Sequence, residues 1–217
     1  MKLSDQTLTI LKNFASVNKD LVINPGKVQR TLSADESILI EARLSEDFPI
    51  KFGIYDLNQF LGNVEALKSP NLEFNNNVVV ITDGSMTMNY MACSPNLIIS
   101  PPDDSDLPQT DIDISFELSS ETFKKITKLA AMNSLTHITV LSKNGEIRLQ
   151  THDKSSDSSN FAYTKVGEYS GKEFSVSFLT ENLKLIQDDY KVEITLGAFA
   201  KFINKANTLT YFIAIEK

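Results

Sequence analysis

Tryptophan is absent from these 217 residues, cysteine occurs once and histidine only twice. The single Cys93 excludes an internal disulfide and fits a reducing, intracellular compartment. There is no GxxxxGK(S/T), no GxGxxG and no HExxH, so nucleotide and zinc sites lack their usual supports. Asp103, Asp104 and Asp106 form a carboxylate cluster, but the glycine and terminal glutamate of a calcium loop are missing, and a solvated acidic linker accounts for it. No apolar run approaches the roughly 18 residues that span a bilayer, and the first residues lack a basic-then-apolar leader. An enzymatic reading would pair Cys93 with His137 or His152, but no local signature surrounds them. Missing catalytic machinery favours a scaffold.

The formal charge is −7. Residues 1–100 hold 8 basic and 11 acidic groups, residues 101–111 hold 4 acidic and no basic ones, and residues 112–217 hold 13 of each. More than half of the excess acid therefore sits in one short stretch, which leaves room for a basic face elsewhere. That stretch, Ser100-Pro-Pro-Asp-Asp-Ser-Asp-Leu-Pro-Gln-Thr110, can continue neither a helix nor a central strand. It reads as a linker over 100–111 between domains at 1–99 and 112–217.

The two halves resemble each other. Leu3-Ser4-x-x-Thr7-Leu8-x-x-Leu11-x-x-Phe14-Ala15 returns as Leu118-Ser119-x-x-Thr122-Phe123-x-x-Ile126-x-x-Leu129-Ala130. Pro25-Gly26 answers Asn144-Gly145. Phe52-x-Ile54-x-x-Leu57 answers Phe174-x-Val176-x-x-Leu179, and Tyr90 answers Tyr211. Four blocks in one order indicate a duplicated domain. Ser4 and Ser119 have the form of N-caps, Ile38-x-Ile40-x-Ala42-x-Leu44 alternates as a half-buried strand, and Asp83-Gly84 and Asn144-Gly145 signal two-residue hairpins. Second helices are expected at about Asp56–Leu67 and Leu179–Gln187, and Ser155–Ser159 reads as a loop tip. The fold class is therefore α+β: two similar domains, each of antiparallel sheets with two helices on one face.

Helical spacing gathers Phe123, Ile126, Leu129 and Ala130 on one side of their helix and Lys124, Lys125 and Lys128 on the other. Lys184 opposes Leu179, Leu183 and Ile186 in the expected fourth helix, and Lys12 flanks the first. Lysines without a base-reading pattern suit phosphate contact.

Met1-Lys-Leu-Ser4, Leu11-Lys-Asn-Phe-Ala15 and Phe52-Gly-Ile-Tyr-Asp-Leu-Asn-Gln-Phe-Leu-Gly62 resemble the DNA polymerase sliding clamps of T-even-type bacteriophages. The resemblance spans the whole chain in length and element order. It implies a non-catalytic homotrimeric ring, closed head to tail around double-stranded DNA, that tethers the replicative DNA polymerase. It also implies an ATP-driven clamp loader, no cofactor or metal, no membrane, and the cytoplasm of the infected bacterial host, with late-transcription factors as further partners to test. On that architecture Lys12, Lys124, Lys125, Lys128 and Lys184 face DNA. Edge strands at about Thr87–Cys93 and Phe161–Gly167, with Tyr90, Tyr163 and Lys165, form the subunit interface. Ile98, Ile99, Leu107, Ile213 and Ile215 border a groove for partner peptides. A ring-forming structural protein of a phage virion is the competing reading.

Overall fold

The computed structural model describes residues 1–102, 107, 111–154 and 160–216. The chain divides into two compact units, Met1–Leu107 and Pro108–Lys217. Of the expected linker, residues 103–106 and 108–110 lie outside the described residues, as does the Ser155–Ser159 tip.

The first unit runs α1 (Asp5–Val17), β1 (Leu21–Ile23), β2 (Gly26–Leu32), β3 (Ile38–Phe48), β4 (Phe52–Ile54), α2 (Leu57–Ala66), β5 (Asn71–Asn75), β6 (Val78–Thr82) and β7 (Thr87–Met91). Here β1 pairs with β4, β2 with β3, and β5, β6 and β7 form a meander, all antiparallel. The second unit runs β8 (Ile114–Leu118), α3 (Ser120–Met132), β9 (His137–Lys143), β10 (Glu146–His152), β11 (Ala162–Glu168), β12 (Ser175–Leu179), β13 (Tyr190–Thr195), β14 (Phe199–Asn204) and β15 (Leu209–Ala214). Its strands pair antiparallel in the orders β11-β10-β9-β12 and β8-β13-β14-β15.

The duplication is visible in the pairing. The β1–β4 ladder answers β9–β12, β2–β3 answers β10–β11, and the β5-β6-β7 meander answers β13-β14-β15. Even β8 has a counterpart. The Met1 amine donates to the Leu72 carbonyl at 2.6 Å and the Leu72 N–H to the Met1 carbonyl at 2.7 Å, so Met1 lies beside β5 as β8 lies beside β13.

The helices start where their caps are. Ser4 Oγ accepts from Thr7 N–H and Ser119 Oγ from Thr122 N–H, each at 3.2 Å. Each cap is doubled by a distant carboxylate, because orphan N–H groups of a first turn favour an anion. Glu46, from β3, accepts from Ser4 N–H at 2.6 Å and from the Thr7 hydroxyl, and Asp189 accepts from Ser120 N–H at 2.8 Å. Ile10, Leu11 and Phe14 of α1 and Phe123, Ile126 and Ala130 of α3 turn into the cores. The β9–β10 turn is the expected two-residue form, with Asn144 and Gly145 both at positive φ (55° and 79°). Asp83-Gly84 instead belongs to a four-residue turn, in which the Asp83 carboxylate accepts from Ser85 and Met86 N–H.

One expected helix is not there. Leu57–Ala66 forms as predicted, capped by Asp56, but the Leu179–Gln187 stretch holds only a 3-10 turn at Thr180–Asn182. The backbone of Ile186 is engaged elsewhere: its N–H donates to Tyr211 Oη at 3.0 Å and its carbonyl accepts from the Tyr190 hydroxyl. Both tyrosines are fully buried, and burial first of all pushes their phenols upward, Tyr211 to about 12, so both remain neutral O–H groups. They hold the segment extended against β13 and β15.

Candidate nucleic-acid and partner interfaces

On α3, Lys124, Lys125 and Lys128 are all exposed, opposite the buried Phe123, Ile126 and Ala130. They are not equivalent. Lys125 pairs with Glu121 one turn earlier at 2.6 Å, whereas Lys124 and Lys128 have no carboxylate partner among the described residues. In the first unit Lys12 is also exposed, but its ammonium meets Glu65 of α2. Lys184 is exposed as well, on the extended segment after the 3-10 turn and not on a helix face. Among the helical lysines, only Lys124 and Lys128 of α3 thus lack a carboxylate partner in the described residues.

Both predicted strand edges exist. β7 pairs only with β6 in its meander, and β11 pairs only with β10 and ends its sheet. Unpaired edges with apolar neighbours demand a partner or a cover. Beside β11, Phe161 is 63% exposed and stacks on exposed Tyr163 (centroids 6.5 Å), over which the Arg148 guanidinium sits at 5.1 Å. Lys165, also on this edge, bridges to Glu146 at 3.4 Å and to Glu168. Leu129, expected in the core, is 41% exposed and lines a hollow with Asn133, Leu135 and Phe161, with exposed Met132 on the same helix. On and just before β7 in the first unit, Met86 and Met91 are exposed, the latter at 67%. Tyr90 is not among them. It is 6% exposed, packs edge-on against Phe60 at 5.1 Å, and belongs to the core of its own unit. The period of two explains this, since β7 turns Tyr90 inward and Met91 outward.

The groove residues divide in the same way. Ile213 is completely buried and Ile98 nearly so, so neither offers a side chain to a ligand. Ile99 is exposed, and Leu107 and Ile215 are half-exposed. In the second unit a cleft of about 590 Å³ is lined by Phe174, Val176, Leu196 and Ile215, with Lys172 and Glu216 also contributing. Its walls are both apolar and charged.

Residues 3–100 match the family model for DNA polymerase processivity factors, and residues 115–217 match that for the C-terminal part of the gp45 sliding clamp. The sliding clamp of Vibrio phage KVP40 is 31% identical, with 100% of this chain and 99% of that protein covered. This chain belongs to the sliding clamp family. The clamp of Enterobacteria phage T4 is 26% identical over 100% of this chain and 97% of its own. Solved structures share the fold at low identity. PCNA of A. fulgidus, described with the C-terminal region of FEN-1 bound, superposes with a TM-score of 0.75 at 12% identity, covering 100% of this chain and 97% of that one. The PCNA2–PCNA3 complex from Sulfolobus tokodaii gives 0.72 at 14%, covering 100% and 99%.

The clamp is a processivity factor for DNA polymerase, and the virion reading falls to the two family matches. The Cys93 chemistry weighs against a nucleophile too: burial, with Asp20 nearby, pushes the thiol above its ordinary value, although a backbone hydrogen bond opposes the shift. Cys93 instead continues β-type pairing to Gly53, where any Cβ would lie 2.4 Å from the Cys93 carbonyl oxygen. Sequence reasoning began the expected interface strand at Phe161 but missed Leu129, assigned to the core, and Met132, which lie beside that edge on α3.

Proposed function

We propose that three copies of the chain close head to tail around duplex DNA, with β7 of one copy beside β11 of the next. An ATP-dependent loader opens the ring, and the replicative polymerase docks in the cleft around Leu196 and Ile215. What carries the reading is the pair of unpaired edges, one per unit, each beside exposed apolar side chains. A head-to-tail contact between two unlike edges is heterologous, and it avoids a filament only by closing on itself. Phe161, Tyr163, Leu129 and Met132 on one side would meet Met86 and Met91 on the other. Lys124 and Lys128 then supply phosphate contact, with Lys12, Lys125 and Lys184 weaker contributors.

Such a ring needs no tight grip on DNA. A polymerase bound weakly to a trapped ring rebinds before it diffuses away, because linkage sets a high effective concentration. The named relatives are phage proteins, which supports action in the cytoplasm of an infected bacterium, where late-transcription factors would compete for the same cleft. Light scattering at micromolar concentration should give three times the 24.2 kDa chain mass, and a strictly monomeric species would sink the ring. With cognate loader and polymerase, processive extension should be strong on circular templates and lost on short linear ones. Equal stimulation of both would mean that the clamp is not topologically linked to DNA.

A further inference from the structure

After β15 the chain crosses from one sheet of its unit to the other. Ile215 N–H donates at 3.1 Å to the carbonyl of Ala198, in the β13–β14 turn, and Glu216 N–H at 2.9 Å to Ser177 of β12. Two consecutive residues therefore stitch the unit's two sheets together. The Glu216 carboxylate then reaches the start of β9 and the turn after β10: Oε2 lies 2.6 Å from His137 Nε2 and 3.0 Å from Lys154 Nζ.

The surroundings are built. His137 is buried, with Nδ1 2.7 Å from Thr136 Oγ1 and its ring stacked on His152 at 5.9 Å. His152 Nε2 is 2.8 Å from Thr139 Oγ1, which is 2.7 Å from Ser177 Oγ, and the Ser177 carbonyl holds Glu216. The polar contacts thus close a circuit around the end of β15. The carboxylate lies in close contact with an imidazole nitrogen on one side and with the Lys154 ammonium on the other. The Lys154 contact, partly opposed by burial and aided by His137, keeps the Glu216 carboxyl below its ordinary range and so ionised at neutral pH.

We propose that His137 and Lys154 are positioning residues which, by latching Glu216, fix Ile215 as a wall of the adjacent cleft and so set the affinity for whatever docks there. This rests on the reading of that cleft as the polymerase site. The physical need is plain. An overhang beyond the last strand has few contacts of its own and frays at little cost unless tied. Ile215 lies between one backbone bond to Ala198 and the pinned Glu216, so losing the pin leaves the wall half-held.

The test uses the intact clamp, its cognate polymerase as the binding probe, and amide hydrogen exchange. His137→Ala and Glu216→Gln should each speed exchange of the Ile215 and Glu216 amides by about tenfold, leaving the β14 amides unchanged. Each should weaken polymerase binding by about fivefold. His137→Gln, which keeps a donor for the carboxylate, should restore most of both. Glu216→Gln guards against a variant that merely misfolds, since it alters one partly exposed carboxylate. Leu196→Asp should abolish polymerase binding without touching the exchange. If His137→Ala and Glu216→Gln leave exchange unaltered, there is no latch. If exchange rises and affinity holds while Leu196→Asp abolishes binding, the latch does not position the cleft, and the proposal fails with the cleft intact. If Leu196→Asp binds as wild type, the cleft reading itself falls and takes the affinity claim with it.

Discussion

His152 shows how one residue can make this clamp sensitive to acid. Burial lowers its pKa from 6.5, and the neighbouring charges of His137 and then Lys154 lower it further, outweighing Asp153. The folded chain therefore takes up this proton less readily than the unfolded chain. Stability from a neutral His152 is complete above pH 6.5 and is lost progressively over the interval below it, as pH falls through the lowered folded-state value. The urea midpoint should drop over that interval, and His152→Gln should flatten the drop. Circular dichroism is the natural probe, because tryptophan is lacking. An unchanged slope in the variant would assign the acid sensitivity elsewhere. Tyr90 teaches a different lesson at the same scale. Its place on an edge strand was legible in the sequence, but the face it takes depends on register, and a shift of one residue reverses every side chain.

At the level of elements, the helix starts were the most legible features, because Ser4, Asp56 and Ser119 act on N–H groups three residues away. The missing fourth helix was illegible for the opposite reason. Its backbone is claimed by Tyr190 and by Tyr211, which stands 25 residues on. Helical spacing also placed Leu129 in the core, but it lies at the flank of the α3 stripe and opens to solvent beside Phe161. The same non-local logic gives α1 its second cap. Burial raises the Glu46 pKa, yet hydrogen bonds from the Thr7 hydroxyl and Ser4 N–H outweigh it and leave the carboxyl below its ordinary value. Glu46→Ala should therefore cost about 1–2 kcal/mol in urea unfolding at neutral pH, from a lost cap and an unsatisfied first turn. Glu46→Gln should recover part of it. A cost near zero would show that Ser4 alone suffices.

For the whole molecule, the repeat concerns framework and not charge. The two units share strand order, first-helix caps and meanders, while among the helical lysines those without a carboxylate partner in the described residues belong to α3. If that helix faces DNA, Lys124→Ala with Lys128→Ala should reduce DNA-dependent polymerase stimulation more than Lys12→Ala with Lys125→Ala, and the trimer mass should not change. The salt dependence of stimulation should flatten, by roughly one in the log–log slope for each phosphate contact removed. Equal effects from the two pairs would mean that the internal carboxylates do not screen their lysines. Lys12 looked unpaired in sequence, because Glu65 reaches it only through the packing of α2 on α1, whereas the Glu121–Lys125 spacing of four was legible.

Those internal ion pairs also bear on friction. A sleeve that must travel along a polyanion is slowed by each contact it has to break at every step. If α1 and α3 line the DNA path, Glu65 and Glu121 offer each ammonium a partner that travels with the protein. On that placement the two carboxylates would act as a lubricant, and replacing them with neutral groups would trade mobility for grip.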